Sequence, residues 1–233
     1  MRTYRDRLYA DYDAHAVASD DARAQHLDRF VRTYLPHGAR VLDLGCGDGG
    51  LLRAALRAGH TEVRGVDGSA AMVARGRGLG TPIEHGDLLT VARTIDTGAF
   101  DCVVAYDVLE HLDRDEQLTL LDEAQRILTP GGRLVLHVPS GEGIFGGAII
   151  YGDATHLMAF TPGSLNQLFR ATGFVTPRYF EERPYAHGLK SAARLVLWHV
   201  FRAGVIAVNT IETGWVNRGL IASRNLIALA TKP

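Results

Sequence analysis

Short apolar runs alternate with helical patterns from residue 40 to the end of the chain. The apolar runs are bounded by turn-forming residues and predict seven β-strands, at 40–44, 63–67, 82–87, 102–106, 133–139, 175–182 and 223–232. Because helical patterns separate the first five strands, we expect a doubly wound, Rossmann-like α/β sheet that is mostly parallel, with helices on both faces. The last strand is expected to run antiparallel and to pair with the sixth at the sheet edge. Ser69 and Thr161 are placed to cap the helices that follow them.

Two further segments belong to the same predicted domain, which covers residues 1–233. Apolar residues recur at spacings of three and four within residues 1–37, which predicts a helical N-terminal cap with an apolar face made of Leu27, Phe30, Val31 and Tyr34. Residues 183–222 form an insertion between the last two strands. It contains a partly apolar helix through residues 195–208.

Charge and cysteine content narrow the functional class. The formal net charge is −1, so there is no global basic field and we expect no nucleic-acid partner. The two cysteines, Cys46 and Cys102, form no CxxC pair, and the N-terminus lacks the apolar core of a signal peptide. Both features favour the reducing cytoplasm. His199 and Arg202 interrupt the longest apolar stretch, which we therefore expect to be too short and too polar to span a membrane.

A cluster of glycines directly follows the first strand. Asp43 lies inside the strand, and Gly45, Gly47 and Gly50 then complete the pattern GxGxxG before a helix. Glycines at such a turn let the backbone approach a ligand closely, beside the unpaired N–H groups of the helix N-terminus. A dinucleotide fold is therefore one interpretation. Asp43 argues against it, because a carboxylate at that point would repel a pyrophosphate and would suit a cation.

The motifs along the chain resemble those of the class I S-adenosylmethionine-dependent methyltransferases. Their acid followed by GxGxG stands here as residues 43–49, their second-strand acid as Asp67 and their third-motif acid as Asp87. Segments similar to their fourth and fifth motifs are AYDVLEHL and LTPGGRLVLHVPS. The resemblance covers residues 40–180 in order and spacing. It implies that the cofactor is S-adenosyl-L-methionine and the released product S-adenosyl-L-homocysteine.

The resemblance also implies where the cofactor contacts lie. Asp43 would face the positive end of S-adenosylmethionine, across a turn in which Cys46 is a small apolar spacer. Asp67, followed by Gly68, would accept hydrogen bonds from the ribose hydroxyls, with a helix cap as the alternative role. The other implied contacts are Gly45 and Gly47 at the methionine portion, Met72 at the adenine face, Asp87 and Leu88 at the adenine amino group, and Tyr106 under the methionine arm. A surface role for Asp87 and core packing for Met72 remain open.

Histidines near the expected acceptor side are the candidates for catalysis. An alcohol acceptor must lose a proton, and histidine is the side chain best suited to accept it near neutral pH. His156 is the first candidate, with Asp153 and Tyr151 as orienting groups, in a stretch similar to the D-x-T-H-x-x-x-F-T segments of related methyltransferases. His111 is the second. The alternatives are a backbone-bonding role for His156 and a place in the cofactor-side wall for His111. We expect no metal, because Glu110 and its neighbours lack the carboxylate clustering that would hold Mg²⁺.

These features predict a methyltransferase that acts on a small-molecule acceptor, with O-methylation of a sugar or natural-product hydroxyl as the favoured reaction. The alternatives are N- or C-methylation of a secondary metabolite, an NAD(P)-dependent oxidoreductase, and a non-catalytic cofactor-binding protein. Arginines and aromatic residues in the 183–222 insertion allow three roles. They are an amphipathic helix that covers the sheet edge or forms a homodimer contact, a lid for an anionic or lipid-carried sugar acceptor, and peripheral contact with a membrane through residues 190–210.

Overall fold

The computed structural model describes residues 21–233, so the first twenty residues of the predicted N-terminal cap lie outside the described chain. The strands are β1 Val41–Leu44, β2 Val63–Asp67, β3 Ile83–His85, β4 Phe100–Tyr106, β5 Leu128–Pro139, β6 Val175–Glu181 and β7 Asn225–Thr231. The helices are α1 Asp21–Tyr34, α2 Gly50–Arg57, α3 Ala70–Gly78, α4 Leu88–Thr94, α5 Arg114–Ile127, α6 Gly147–Ile150, α7 Pro162–Ala171 and α8 Leu189–Thr213. A 3₁₀ turn, Leu109–His111, follows β4.

The seven strands form one mixed sheet in the order β3-β2-β1-β4-β5-β7-β6. The first five strands pair in parallel, and β7 runs antiparallel to both of its neighbours. The predicted fold class and the antiparallel last strand are therefore confirmed. β7 pairs with β6 as expected, but it also pairs with β5, which leaves β6 as the edge strand.

The core lies on both faces of the central strands. Strand β1 is buried on both faces, with Val41, Leu42 and Leu44 fully inaccessible to solvent. This burial explains why Asp43 is the one polar residue of the strand. On one face, Leu27 and Phe30 of α1 pack in the same apolar cluster as Val41. The predicted apolar face of the N-terminal helix is confirmed within the described residues.

Local capping and pairing set the element boundaries. The Ser69 and Thr161 side chains accept hydrogen bonds from the first turns of α3 and α7, as predicted; a cap of this kind contributes about 1 kcal/mol. β5 begins five residues earlier than expected. The Gly131 N–H donates to the Lys232 carbonyl over 3.0 Å, and the Lys232 N–H donates to the Gly132 carbonyl over 3.0 Å. Residues 128–132 therefore belong to the sheet.

Helix α8 is longer than the sequence pattern indicated. It runs over 25 residues, and an 18-residue window has a mean hydropathy of 1.4 with only 6% of the window buried. By length and composition alone the helix could cross a membrane. The expectation that this stretch is too short and too polar to span a bilayer was therefore wrong, because the helix extends beyond both ends of the 195–208 segment.

Candidate functional site

The glycine turn after β1 depends on left-handed backbone. Gly45, Gly47 and Gly49 have φ values of 78°, 55° and 76°, a region that side-chain-bearing residues rarely adopt. A Cβ atom on Gly45 would collide with a methyl group of Val108, whereas one on Gly47 would meet no atom within 4 Å. The turn is therefore packed against the end of β4 at Gly45 and open at Gly47.

Asp67, at the end of β2, is tied directly to this turn. Its carboxylate accepts a hydrogen bond from the Gly47 N–H over 2.7 Å and another from the Ser69 N–H over 2.8 Å. Carboxylate oxygens have lone pairs for further hydrogen bonds, so both backbone contacts are compatible with a diol partner. The structure brings together the strand-end acid and the glycine turn that the sequence placed in one site.

Asp43 lies beneath the turn as a buried acid. It is 1% exposed, and its Oδ1 has no hydrogen-bond partner among residues 21–233. Burial, with a smaller contribution from the nearby Asp67 charge, raises the pKa of Asp43 to about 8. A buried carboxyl without a partner is costly in its ionised form, so a cation placed beside it would be strongly favoured.

The expected adenine-side residues have local roles in the described structure. Asp87 caps α4, because its carboxylate accepts hydrogen bonds from the N–H and hydroxyl of Thr90 over 2.9 and 2.6 Å. Leu88 is half-buried against the core, and Met72 is half-buried in the first turn of α3. Gly68 follows Asp67 and is exposed. Cofactor contacts at these four positions stay predictions.

Tyr106 belongs to a buried polar network that the sequence did not indicate. Its ring stacks on His137 with centroids 4.0 Å apart, and its hydroxyl is 3.1 Å from His26 Nε2. His137 Nδ1 lies 2.5 Å from Asp107 Oδ1, and its Nε2 lies 3.5 Å from Glu182 Oε2. Although burial lowers the pKa of His137, the two carboxylates outweigh it and raise that pKa to about 10. His137 is thus a buried cation. The sequence signal that could have indicated this network is a histidine inside an apolar strand.

His111 is oriented by Thr155 and Asp153. The Thr155 hydroxyl lies 2.8 Å from His111 Nδ1 and donates to Asp153 Oδ1 over 2.6 Å. Burial and the neighbouring His156 lower the pKa of His111 to about 4, so its ring is neutral at physiological pH. We expected Asp153 to orient His156, but the shortest side-chain contact of Asp153 leads through Thr155 to His111.

His156 packs edge-on against His111, with ring centroids 4.6 Å apart. Its Nδ1 lies 3.1 Å from the Ile149 carbonyl, and its Nε2 lies 3.9 Å from Asp153. Tyr151 is 89% exposed, and its side chain makes no contact with His156 that would orient this histidine within the described residues. The structure therefore joins His111, His156 and Asp153 into one cluster and leaves Tyr151 outside it.

Glu110 is a buried acid in the same region, and we did not predict a role for it from the sequence. It is 1% exposed, and its Oε2 has no hydrogen-bond partner within the described part of the chain. Burial first, and then the charge of Asp107, raise the pKa of Glu110 to about 8. An acid between the apolar neighbours Leu109 and Leu112 was the signal that could have identified it.

A separate groove of about 520 Å³ lies along α8. Apolar side chains make up most of its wall, and none of its lining residues belongs to the glycine turn: Glu142, Ile144, Val200, Phe201, Gly204, Val205, Val208, Asn209, Glu212 and Leu220. The groove therefore lies between α8 and the loop after β5, and it is not part of the cluster at the strand ends.

Comparisons with known proteins identify the family of the chain. A family model described as a methyltransferase domain matches residues 9–176. Relatives include a ubiquinone biosynthesis O-methyltransferase from Xanthomonas oryzae, 34% identical over 42% of this chain and 42% of that protein. They also include a trans-aconitate 2-methyltransferase from Azoarcus, 32% identical over 70% of this chain and 58% of that protein. An uncharacterised transposon-encoded protein from Streptomyces fradiae is 35% identical over 57% of this chain.

The chain spans 39% to 58% of the length of these relatives. Among solved structures, a SAM-dependent methyltransferase from Archaeoglobus fulgidus superimposes with a TM-score of 0.69 at 22% identity, over 90% of this chain and 94% of that one. A phosphoethanolamine N-methyltransferase from Haemonchus contortus gives a TM-score of 0.61 at 19% identity, over 90% and 52%. Because the family model covers more than half of the sequence, the chain belongs to the methyltransferase domain family and has the fold of the S-adenosylmethionine-dependent methyltransferases.

Proposed function

We propose that this chain transfers the methyl group of S-adenosylmethionine to a hydroxyl of a small molecule. The observation that carries the proposal is the buried Asp43 carboxyl under the glycine turn, one oxygen of which has no hydrogen-bond partner among the described residues. Asp67 is hydrogen-bonded to the same turn. This combination suits a cationic cofactor with a ribose and without phosphates, and it disfavours a dinucleotide.

The proposed cofactor contacts follow from the positions of the strand ends. Asp43 faces the ammonium or sulfonium, and the backbone of Gly45, Cys46 and Gly47 borders the methionine portion. Asp67 and Gly68 border the ribose, and the remaining proposed contacts are Met72, Asp87 and Leu88 at the adenine and Tyr106 beneath the methionine arm. The cofactor supplies an electrophilic methyl group with a neutral thioether as its leaving group. The protein has to position the acceptor and exclude water.

Proton removal from the acceptor is assigned to the His111–His156 cluster. His156 is the proposed base, and His111 is the second candidate. Because the Thr155 hydroxyl donates to Asp153, it accepts from His111 Nδ1, which fixes the His111 ring. A neutral imidazole is the protonation state that a base requires.

Oxygen is the proposed acceptor atom. Two relatives are named as a ubiquinone biosynthesis O-methyltransferase and a trans-aconitate 2-methyltransferase, and both names describe small organic acceptors. The buried cluster beside the cofactor site provides a proton acceptor, which an amine already deprotonated in solution would not need. A hydroxyl on a sugar or natural-product scaffold is the proposed acceptor class, and N- or C-methylation is the competing outcome.

Helix α8 supports a second proposal, that residues 190–210 contact a membrane surface peripherally. Leu197, Val200 and Val208 are more than 60% exposed, and Trp215 follows the helix end at 70% exposure. Apolar residues with an aromatic anchor at one end are typical of interfacial helices. Co-sedimentation with anionic vesicles tests this proposal. A soluble homodimer that hides the helix is the outcome that would contradict it.

Two experiments test the proposed reaction. Titration calorimetry with S-adenosylhomocysteine and with NADH separates the cofactor classes, and binding of NADH alone would refute the methyltransferase assignment. Incubation of a hydroxyl-bearing metabolite panel with labelled methyl donor, followed by mass spectrometry, then identifies the methylated atom.

The role of His156 is tested by substitution. His156→Ala should lose turnover and keep its affinity for S-adenosylhomocysteine, because the histidine lies on the acceptor side. His37→Ala, at an exposed position in the turn before β1, is the matched control. Full turnover of His156→Ala would remove this histidine as the base.

A further inference from the structure

Glu110, His111 and His156 converge at the carboxyl ends of β4 and β5. One oxygen or nitrogen of each side chain lies within 4.8 Å of the corresponding atoms of the other two. The Leu157 N–H donates to the Glu110 carbonyl over 2.7 Å, which holds the loop after β5 against the 3₁₀ turn after β4. The three side chains therefore come from two segments that the backbone keeps together.

The hydrogen bonds around both rings fix the same tautomer. The Thr155 hydroxyl has only one proton and gives it to the Asp153 carboxylate, so His111 Nδ1 must donate to Thr155. The Ile149 carbonyl can only accept, so His156 Nδ1 must also donate. In its neutral form, each ring therefore carries its lone pair on Nε2. Histidines that bind a metal are oriented in this way, with the second nitrogen donating to a carbonyl or to a polar side chain.

Glu110 supplies an independent indication of a missing partner. Its side chain is 1% exposed, and its Oε2 has no hydrogen-bond partner in the described chain. Burying such a group without a partner is costly, and buried charges are normally paired or bind metals. A divalent cation between the carboxylate and the two imidazoles would satisfy Glu110.

We propose that Glu110, His111 and His156 bind a divalent first-row transition-metal ion. Two imidazoles and one carboxylate match catalytic zinc sites and other first-row sites, and they suit Mg²⁺ poorly. Ligand atoms of a tetrahedral site with bonds of about 2.1 Å lie roughly 3.4 Å apart. The ligand atoms lie within 4.8 Å of one another, so each pair has to close by at most about 1.4 Å to bind the ion.

The proposed role of the ion in the reaction rests on the proposed methylation of a hydroxyl. The proposal that the ion binds does not depend on that reaction. Three protein ligands leave a coordination position for the acceptor hydroxyl, whose pKa falls on coordination. The hydroxyl then loses its proton to solvent, and the oxygen forms a bond to the methyl carbon. The sulfur–carbon bond breaks, and its electron pair stays on the thioether sulfur. The metal would take over the task assigned above to His156 as a base.

The test measures metal binding directly on the tag-free, cofactor-free chain. Calorimetry with Zn²⁺ and metal analysis after dialysis should give one ion per chain, and Co²⁺ should develop the visible bands of a site with nitrogen and oxygen ligands. Glu110→Gln, His111→Gln and His156→Gln should each weaken Zn²⁺ binding more than about 100-fold. Asp153→Asn acts through Thr155 and through its 3.9 Å contact with His156, and it should weaken Zn²⁺ binding about 10- to 100-fold. His37→Ala is the control and should leave Zn²⁺ binding unchanged, and circular dichroism checks that each variant is folded.

The outcomes separate the site from the proposed reaction. Unchanged Zn²⁺ binding in all three ligand variants, or no binding by the wild-type chain, would overturn the metal site. Methyl transfer by the metal-free chain would overturn the proposed role of the ion in the reaction. The methyltransferase proposal would then still stand. Loss of methyl transfer on chelation and its return with Zn²⁺ would support both.

Discussion

The ionisation of Asp43 makes a quantitative prediction about cofactor binding. The pKa of this buried carboxyl is about 8 in the ligand-free chain, so roughly 1% is ionised at pH 6 and about half at pH 8. A cofactor ammonium or sulfonium pairs with the carboxylate and not with the neutral acid. The affinity for S-adenosylhomocysteine, which carries the ammonium alone, should therefore rise about 50-fold from pH 6 to pH 8. Binding at pH 7 should release about 0.9 proton.

Titration calorimetry across this pH range measures the affinity. Repeating it in two buffers with different ionisation enthalpies counts the released protons. Asp43→Asn should bind more weakly, by about 10-fold or more at pH 8, and should lose most of the pH dependence. Asp101→Asn is the matched control. Asp101 is paired with Arg40 at the start of β4, where that pairing holds its pKa at about 2, so it does not titrate in this range.

Two results would refute this reasoning. An affinity that is flat from pH 6 to pH 7.5 would show that the cofactor does not require the ionised carboxyl. The full slope in Asp43→Asn would assign the dependence to another group. Repeating the series with S-adenosylmethionine would then show whether the sulfonium contributes, because that charge does not titrate.

Two further predictions concern stability. Gly45→Ala and Gly47→Ala both force a side chain into left-handed backbone, which costs about 1 kcal/mol, but only Gly45→Ala adds a collision with Val108 worth about 1–3 kcal/mol more. Urea unfolding should show the larger loss at Gly45 with partial recovery in a Val108→Ala background, and equal losses would contradict this account. Glu182 has a pKa lowered to about 2, because hydrogen bonding and attraction to the charged His137 outweigh burial. Its stabilisation, about 3 kcal/mol, is therefore complete above pH 4.5 and is lost as the pH falls towards 2. Glu182→Gln should remove this acid-dependent part of the unfolding curve, and an unchanged pH profile would refute the pairing.

The strand-end acids could be predicted from the sequence because their signals are local. Asp43 and Asp67 each stand at a fixed position in an apolar run, and a parallel sheet brings its carboxyl ends to one edge. The caps at Ser69 and Thr161 follow from the same kind of short pattern. In each case the information needed lies within a few residues.

The acceptor-side cluster could not be predicted in the same way. Its members come from two segments, Glu110 and His111 in the first and Asp153 and His156 in the second, which lie 42 to 46 positions apart. Their association depends on how the loop after β5 folds back on the 3₁₀ turn. The contact from Asp153 to Thr155, in place of His156, reflects a backbone turn that the spacing of the two residues does not reveal. The extent of α8 was missed for a different reason. His199 and Arg202 were interpreted as interruptions, although Arg202 reaches back to Glu181 over 2.9 Å and leaves the helix intact.

Asp107 joins the two halves of the site. It has a φ of 55°, a left-handed conformation that aspartate tolerates better than most residues. Its N–H donates to the His137 carbonyl over 3.0 Å and its carboxylate contacts the His137 ring, so β5 holds it in that conformation. The turn made there directs Val108 against Gly45 and leads directly into Glu110 and His111. One constrained residue therefore sets both the packing of the glycine turn and the placement of the proposed metal ligands. The buried charge of His137 is the feature of the core that keeps that residue in place.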